Sequence, residues 1–400
     1  MKRLWYPVCF ILLIIVFITI FIFRNSFQEK HTRISPKVSI VIGSPFYQKK
    51  INRITRNING TDVFIESSSK IPLVASPEAF ISPFYFPALA SQRPLSIKEP
   101  IDRKFLENLD KMQPIVSDWW GWAPISISGG TSGGTSSAYL TSETPKKMAL
   151  FFTGGVDSFY ALHQEITRIQ VLVNIEGFDV SLHDTARLKK TRKLVQNVGD
   201  ALGLAVVFVK TNIKSHPDFK RLNWGKHTHG AALAMVAHSL QNISSVFCVA
   251  GTDSGGRPHG SHPLVDPLWG SGNLVIITSD APRLEKVRSI ASWPLVHSYL
   301  KVCWENKSSK ANCGHCEKCL RTETAFAVLG HDHKLKVFPK NPSLEKRLIQ
   351  HQNDIKNAKN ILLEQWKDIY DESQEPLKSV LKVVISPVRT KIFKVRGRLG

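Results

Sequence analysis

Acidic residues are scarce in this chain: 32 Asp and Glu stand against 53 Lys and Arg, a formal charge of +21 over 400 residues. That balance points to an acidic partner (a nucleotide, a nucleic acid or an anionic membrane surface), although solubility alone gives the same sign. Cysteine is rarer still, with six residues, four of them crowded between Cys303 and Cys319. The apolar share of 42% excludes wholesale disorder. No Gly-Lys-Ser/Thr follows the first glycine pair of the core, which excludes a Walker A loop. The G-x-G-x-x-G spacing of a dinucleotide fingerprint is missing as well.

One long apolar run is present, Leu4 to Phe23, and no charge interrupts it. At about 1.5 Å per residue it covers about 30 Å, the thickness of a bilayer core. Small residues that would mark a cleavage site are lacking at Phe21-Ile22-Phe23-Arg24-Asn25, so a transmembrane signal anchor (residues 4–23) is expected rather than a removed signal peptide. Basic residues are denser after it (Arg24, Lys30, Arg33, Lys37) than before it (Lys2, Arg3), which favours a single-pass protein with a cytoplasmic catalytic region. The sequons at Asn59, Asn242 and Asn306 would matter only on the other side.

Residues 37–122 read as a small α+β domain, with strand-like Val38–Ile42 and Asp62–Glu66 and helix candidates Glu78–Ser91 and Asp102–Trp120. Pro83 and Pro87 predict that the first of these helices is broken or short. Residues 123–146, rich in Gly, Ser and Thr, read as a linker. From Lys147 short apolar runs (Met148–Phe152, Val171–Ile175, Ala205–Val209, Val246–Ala250, Leu274–Ile277) alternate with helical stretches (Phe159–Thr167, Asp184–Leu202, His227–Gln241, Arg283–Ala291). This alternation predicts an α/β fold, a doubly wound parallel sheet with ligands at the carboxyl ends of its strands. The core domain is expected over residues 147–340, one amphipathic C-terminal helix over 343–372, and a basic tail, disordered or held on anionic lipid or RNA, over 377–400.

The first run enters Thr153-Gly154-Gly155-Val156-Asp157-Ser158, and a helical pattern starts at once. Glycines at such a turn let backbone N–H groups approach a phosphate, and the helix dipole adds to the pull. Thr153 and Ser158 can donate hydroxyl hydrogen bonds, and a carboxylate at Asp157 suits a Mg²⁺ bridging to phosphate oxygens. The second chemical constellation is Cys303, Cys313, Cys316 and Cys319, spaced C-x9-C-x2-C-x2-C. Four thiolates complete a tetrahedral Zn²⁺ site unaided, and an iron–sulfur cluster is the alternative.

The loop resembles the PP-loop (S-G-G-x-D-S) of the ATP pyrophosphatase superfamily, with Thr153 where those enzymes usually have Ser. With the knuckle and its ending Cys319-Leu320-Arg321, residues 147–329 are similar to the 7-cyano-7-deazaguanine synthase branch. The resemblance implies a PP-loop (HUP-like) fold, ATP and Mg²⁺ as cofactors, a structural Zn²⁺, and Asp157 and Ser158 as catalytic residues. ATP would be held by Thr153, Gly154, Gly155, Val156, Asp157 and Ser158, with Glu176 near the ribose, and Thr252 and Asp253 of a second glycine-rich loop near the metal or substrate. The implied activity is that of an adenylating ligase: ATP activates a carboxylate or amide oxygen, pyrophosphate leaves, and ammonia or another nucleophile displaces AMP. The membrane segment and the N-terminal region depart from that branch, so its deazaguanine substrate is not carried over. An RNA base-modifying (thiolase-type) PP-loop enzyme and a non-catalytic nucleotide-binding membrane protein are the alternatives. Arg257, His262 and Asp266 are further candidates for meeting a substrate.

Overall fold

In the computed structural model the structure describes residues 38–132, 148–252, 256–305, 311–357 and 360–385. The apolar run 4–23, Asp253 and most of the linker lie outside them; among the described residues no helix is long and apolar enough to cross a membrane.

The strands are β1 (Ile40–Ile42), β2 (Phe46–Gln48), β3 (Arg53–Ile58), β4 (Thr61–Ser67), β5 (Leu95–Ile97), β6 (Ile101–Asp102), β7 (Ile127–Ser128), β8 (Thr131–Ser132), β9 (Met148–Phe151), β10 (Ile169–Glu176), β11 (Ala205–Thr211), β12 (Val246–Ala250) and β13 (Val275–Ser279). All but β6 and β8 join one sheet in the order β13-β12-β9-β10-β11-β4-β3-β1-β5-β7, with β2 beside β3. The neighbours from β13 to β11 are parallel; the pairings of β11 with β4 and of β4 with β3 are antiparallel.

β9 lies in the middle of the parallel stretch from β13 to β11 and is buried along its whole length. Its side chains alternate between two cores. Ala149 and Phe151 join one with the helices Pro77–Ser91 and His229–Ser239; Met148 and Leu150 join the other with the helices Val156–Gln164, Arg283–Ile290 and Glu317–Val328. A sheet covered on both faces gives continuous apolar strands, which is why Met-Ala-Leu-Phe shows no polar alternation. The result is an α/β fold with a large, mixed, mostly parallel sheet, compatible with double winding. The chain runs outward from β9 to β10 and β11, then returns to place β12 on the other side of β9. The switch point, where ligands bind in such sheets, therefore falls between β9 and β12.

Residues 40–122, from the segment expected as a small α+β domain, belong to the same compact unit as the core. β4 pairs with β11 (Lys210 opposite Glu66), so the α+β segment extends the same sheet and covers what would be its open edge. β3 and β4 join through Asn59 and Gly60, both with positive φ, as a tight hairpin requires. The helix Pro77–Ser91 runs unbroken through Pro83 and Pro87. Twelve of its residues are buried, so packing outweighs the backbone bonds that the two prolines cannot donate. The single C-terminal helix expected over 343–372 is instead three pieces, Leu344–Gln350, Gln352–Lys356 and Asn360–Glu372. The start of the basic tail is ordered: residues 377–385 are helical and bury Leu381, Val384 and Ile385 in the second core.

Candidate nucleotide and metal site

The helix Val156–Gln164 begins at Gly155, and no side chain caps it. The first-turn amides of a helix have no partner within it, so a glycine cap leaves them available to an anion. Gly154 adopts φ +80°, and a Cβ there would come within 2.8 Å of Leu194. Its carbonyl accepts from the Lys301 amide at 2.8 Å, which ties the loop to the segment leading to Cys303. Ser158 Oγ donates to the Gly155 carbonyl at 3.1 Å and closes the turn from inside.

This loop opens into a cavity of ≈ 410 Å³. Thr153, Gly155, Val156, Asp157 and Ser158 line it; Gly154 supports it from behind. Phe151, Phe178 and Trp224 supply aromatic wall, and Lys214, Lys301 and Lys318 supply positive charge. Lys214 Nζ donates to the Phe178 carbonyl at 2.7 Å and lies 4.4 Å from the Trp224 ring centre. Burial lowers the pKa of all three lysines, and Asp179 at the cavity wall pulls each back up. A second cavity of ≈ 620 Å³ adjoins the first, and Asp157, Thr252, Trp304 and Lys318 line both. Pro258, Ile361 and Leu362 give it an apolar wall.

Asp157 does something other than the expected binding of Mg²⁺. Arg283 Nη1 reaches both of its carboxylate oxygens at 3.1 and 3.2 Å, and Lys286 Nζ donates to Oδ1 at 3.0 Å. Burial alone would raise this carboxyl, yet Arg283, Lys286 and Lys318 hold it well below the usual carboxylate range. Two cations already occupy this carboxylate, so Asp157 does not fit as a Mg²⁺ ligand. Lys286, fully buried, also donates to the Gly251 carbonyl and to Asp280 Oδ1, both at 2.6 Å. It thereby ties together the loops after β9, β12 and β13.

Glu176 is placed away from this cavity. It is 1% exposed, and both of its oxygens accept from Arg192, at 2.5 and 2.8 Å, so neither is presented to a ribose. Thr252 lines both cavities; Asp253 falls outside the described residues. Asp266 is buried beneath the cleft, accepts from Ser261 and Thr278, and is pushed up to about 7 by burial. His262 stacks edge-on against Trp119. Trp120 and Trp122, half-buried, pack on Phe86 and His227.

Cys303, Cys313, Cys316 and Cys319 converge with their sulfurs within 4.8 Å of one another, and could hold a metal ion such as zinc. A tetrahedron with Zn–S bonds of about 2.3 Å has edges of about 3.8 Å, and Cys313 Sγ lies 3.8 Å from Cys319 Sγ. That spread suits one ion better than a multi-iron cluster, whose core holds its cysteines further apart. Gly314 turns the loop at φ +76°, where a Cβ would come within 2.2 Å of Pro339. Buried Asn312 accepts from the Val302 and Cys303 amides, clamping Cys303 to the knuckle. Cys316 stands at the N-cap position of the helix Glu317–Val328, so the four-cysteine cluster adjoins the turn that carries Lys318.

The residues missed in the sequence are the buried cations Arg283 and Lys286 and the half-buried cations Lys214, Lys301 and Lys318. Lysine and arginine are ordinarily surface residues, and only the i, i+3 spacing of Arg283 and Lys286 hinted at a shared face. No protein-family model matches the chain, and no curated protein matches it either.

Proposed function

We propose that this chain is a PP-loop-type ATP pyrophosphatase, an adenylating enzyme that transfers AMP to an acceptor oxygen. The observation that carries this reading is an uncapped glycine turn at the switch point of the sheet, opening into a cavity ringed by Lys214, Lys301 and Lys318. The base and ribose take the space beside Phe151, Phe178 and Trp224. The phosphates take the amides of the glycine turn. The acceptor takes the adjoining apolar-walled cavity, which meets the first at Asp157, Thr252, Trp304 and Lys318.

An acceptor carboxylate or amide oxygen bonds to the α-phosphorus as the bond to the α–β bridging oxygen breaks, and the electron pair leaves with pyrophosphate. Lysines held in a poorly hydrated cavity stabilise that charge more strongly than they would in water. Ammonia or another nucleophile then displaces AMP. Asp157 serves by fixing Arg283 and Lys286 rather than by touching a metal. The four-cysteine centre would hold Zn²⁺ as a closed structural site, since four thiolates leave no open position. The catalytic region is proposed to be anchored to a membrane through residues 4–23.

The test is product analysis: purified protein, ATP and a panel of carboxylic acids, with nucleotides separated chromatographically. AMP and pyrophosphate in equal amounts are expected. Release of ADP and phosphate, or absence of ATP binding by calorimetry, would overturn the proposal.

A further inference from the structure

We infer that Lys318 is the cation that receives the α-phosphate, which makes the cysteine knuckle the part of the fold that aims a catalytic group. The inference rests on the nucleotide reading above and adds to it the position of the reacting phosphorus.

In an adenylation the acceptor and the nucleotide touch at one atom only, the α-phosphorus. That atom must lie where the two cavities join. Among the described residues, four line both cavities. Asp157 is negative and engaged with Arg283 and Lys286. Thr252 and Trp304 are neutral. Lys318 alone among them brings positive charge to the junction, and it has no hydrogen bond or ion pair among the described residues. Other cations of the second cavity are engaged: Arg283 with Asp157, Arg321 with Glu317, and Arg257 with Glu364.

The surroundings explain why the ammonium stays there. Lys318 is the second residue of the helix Glu317–Val328 and stands between two metal-site cysteines, Cys316 and Cys319. The turn below it is held by Arg347, which donates to the Gly314 carbonyl at 2.6 Å and forks onto Glu323 at 2.7 and 2.9 Å. Trp366 Nε1 and Arg321 hold Glu317, so this neighbouring carboxylate is kept off the ammonium. As the acceptor oxygen bonds to the α-phosphorus and the pyrophosphate oxygen departs, charge on the non-bridging α-oxygens faces Lys318.

The test needs no knowledge of the acceptor, because AMP and adenosine differ only by the α-phosphate. Calorimetric affinities for both are measured for the parent, Lys318→Gln and Lys318→Arg, with zinc content and melting temperature as folding controls. Lys318→Gln is expected to weaken AMP roughly tenfold, the loss of one charge-assisted hydrogen bond, and to leave adenosine unchanged. Lys318→Arg is expected to restore part of the AMP affinity. Equal loss for AMP and adenosine would assign Lys318 a purely structural role, and unchanged AMP affinity would place the α-phosphate elsewhere; either overturns the inference. A parent protein that binds neither ATP nor AMP would instead overturn the nucleotide reading beneath it.

Discussion

Asp157 shows how far a residue's neighbours redirect its chemistry. In the sequence it is an acid after two glycines, and metal binding is the natural expectation. In the fold it lies against Arg283 and Lys286, one 7% and the other 0% exposed. Removing one partner of a buried charge group costs about 3–5 kcal/mol, so Asp157→Asn should lower stability by about that amount as well as abolish AMP formation. A urea denaturation midpoint equal to the parent's would refute the stability half. The linkage sign follows from the depressed carboxyl: its contribution is complete above the ordinary Asp value and is lost as pH falls toward the folded one. Asp266 has the opposite sign. Its folded pKa is raised to about 7, so stability tied to it is full below about pH 4 and declines as pH rises through 7. Asp266→Asn should therefore gain on the parent by about 1 kcal/mol or more between pH 5 and pH 8. Parallel stability–pH curves would show that Asp266 does not titrate in this range.

At the level of elements, the knuckle and the C-terminal helices govern the site from outside the sheet. Metal ligation contributes folding energy directly, so chelation of the purified protein should lower its melting temperature, and added Zn²⁺ should restore it. A melt indifferent to chelator would sink the structural-metal assignment. Leu381 is fully buried although it belongs to what reads as a basic tail. Leu381→Ala should cost about 2–5 kcal/mol, measured by chemical denaturation; a surface-like effect of a few tenths would mean that this helix does not pack. The buried helix Pro77–Ser91 shows the same limit from the other side. Two prolines argue against a continuous helix, but a segment packed on nearly every face follows its neighbours rather than its propensity.

For the whole molecule, the decisive feature is the continuity of the sheet. β4 covers the edge of β11, and the helix Pro77–Ser91 shares a core with the helix His229–Ser239. A fragment restricted to residues 147–385 would expose both the edge and that core. It should aggregate or melt without cooperativity, as seen by size exclusion and circular dichroism. A monomeric fragment with a sharp transition would restore the view of two separate domains.

The sequence by itself determined the parallel core, the glycine turn and the four-cysteine cluster. Each is written locally: apolar runs of strand length, glycines at a strand end, thiols a few residues apart. Strand positions such as Met148–Phe151 and Val246–Ala250 follow from that pattern. Only the tertiary structure decided which charges are buried and what they face. Lys214, the pair Arg283 and Lys286, Lys301 and Lys318 lie on separate stretches of the chain and look like ordinary surface cations. The Arg192 guanidinium takes Glu176 away from the cavity, and the pairing of β4 with β11 merges two expected domains into one sheet. Electrostatic roles and edge pairings depend on groups brought together by long-range contacts, and no local stretch of sequence encodes such a contact.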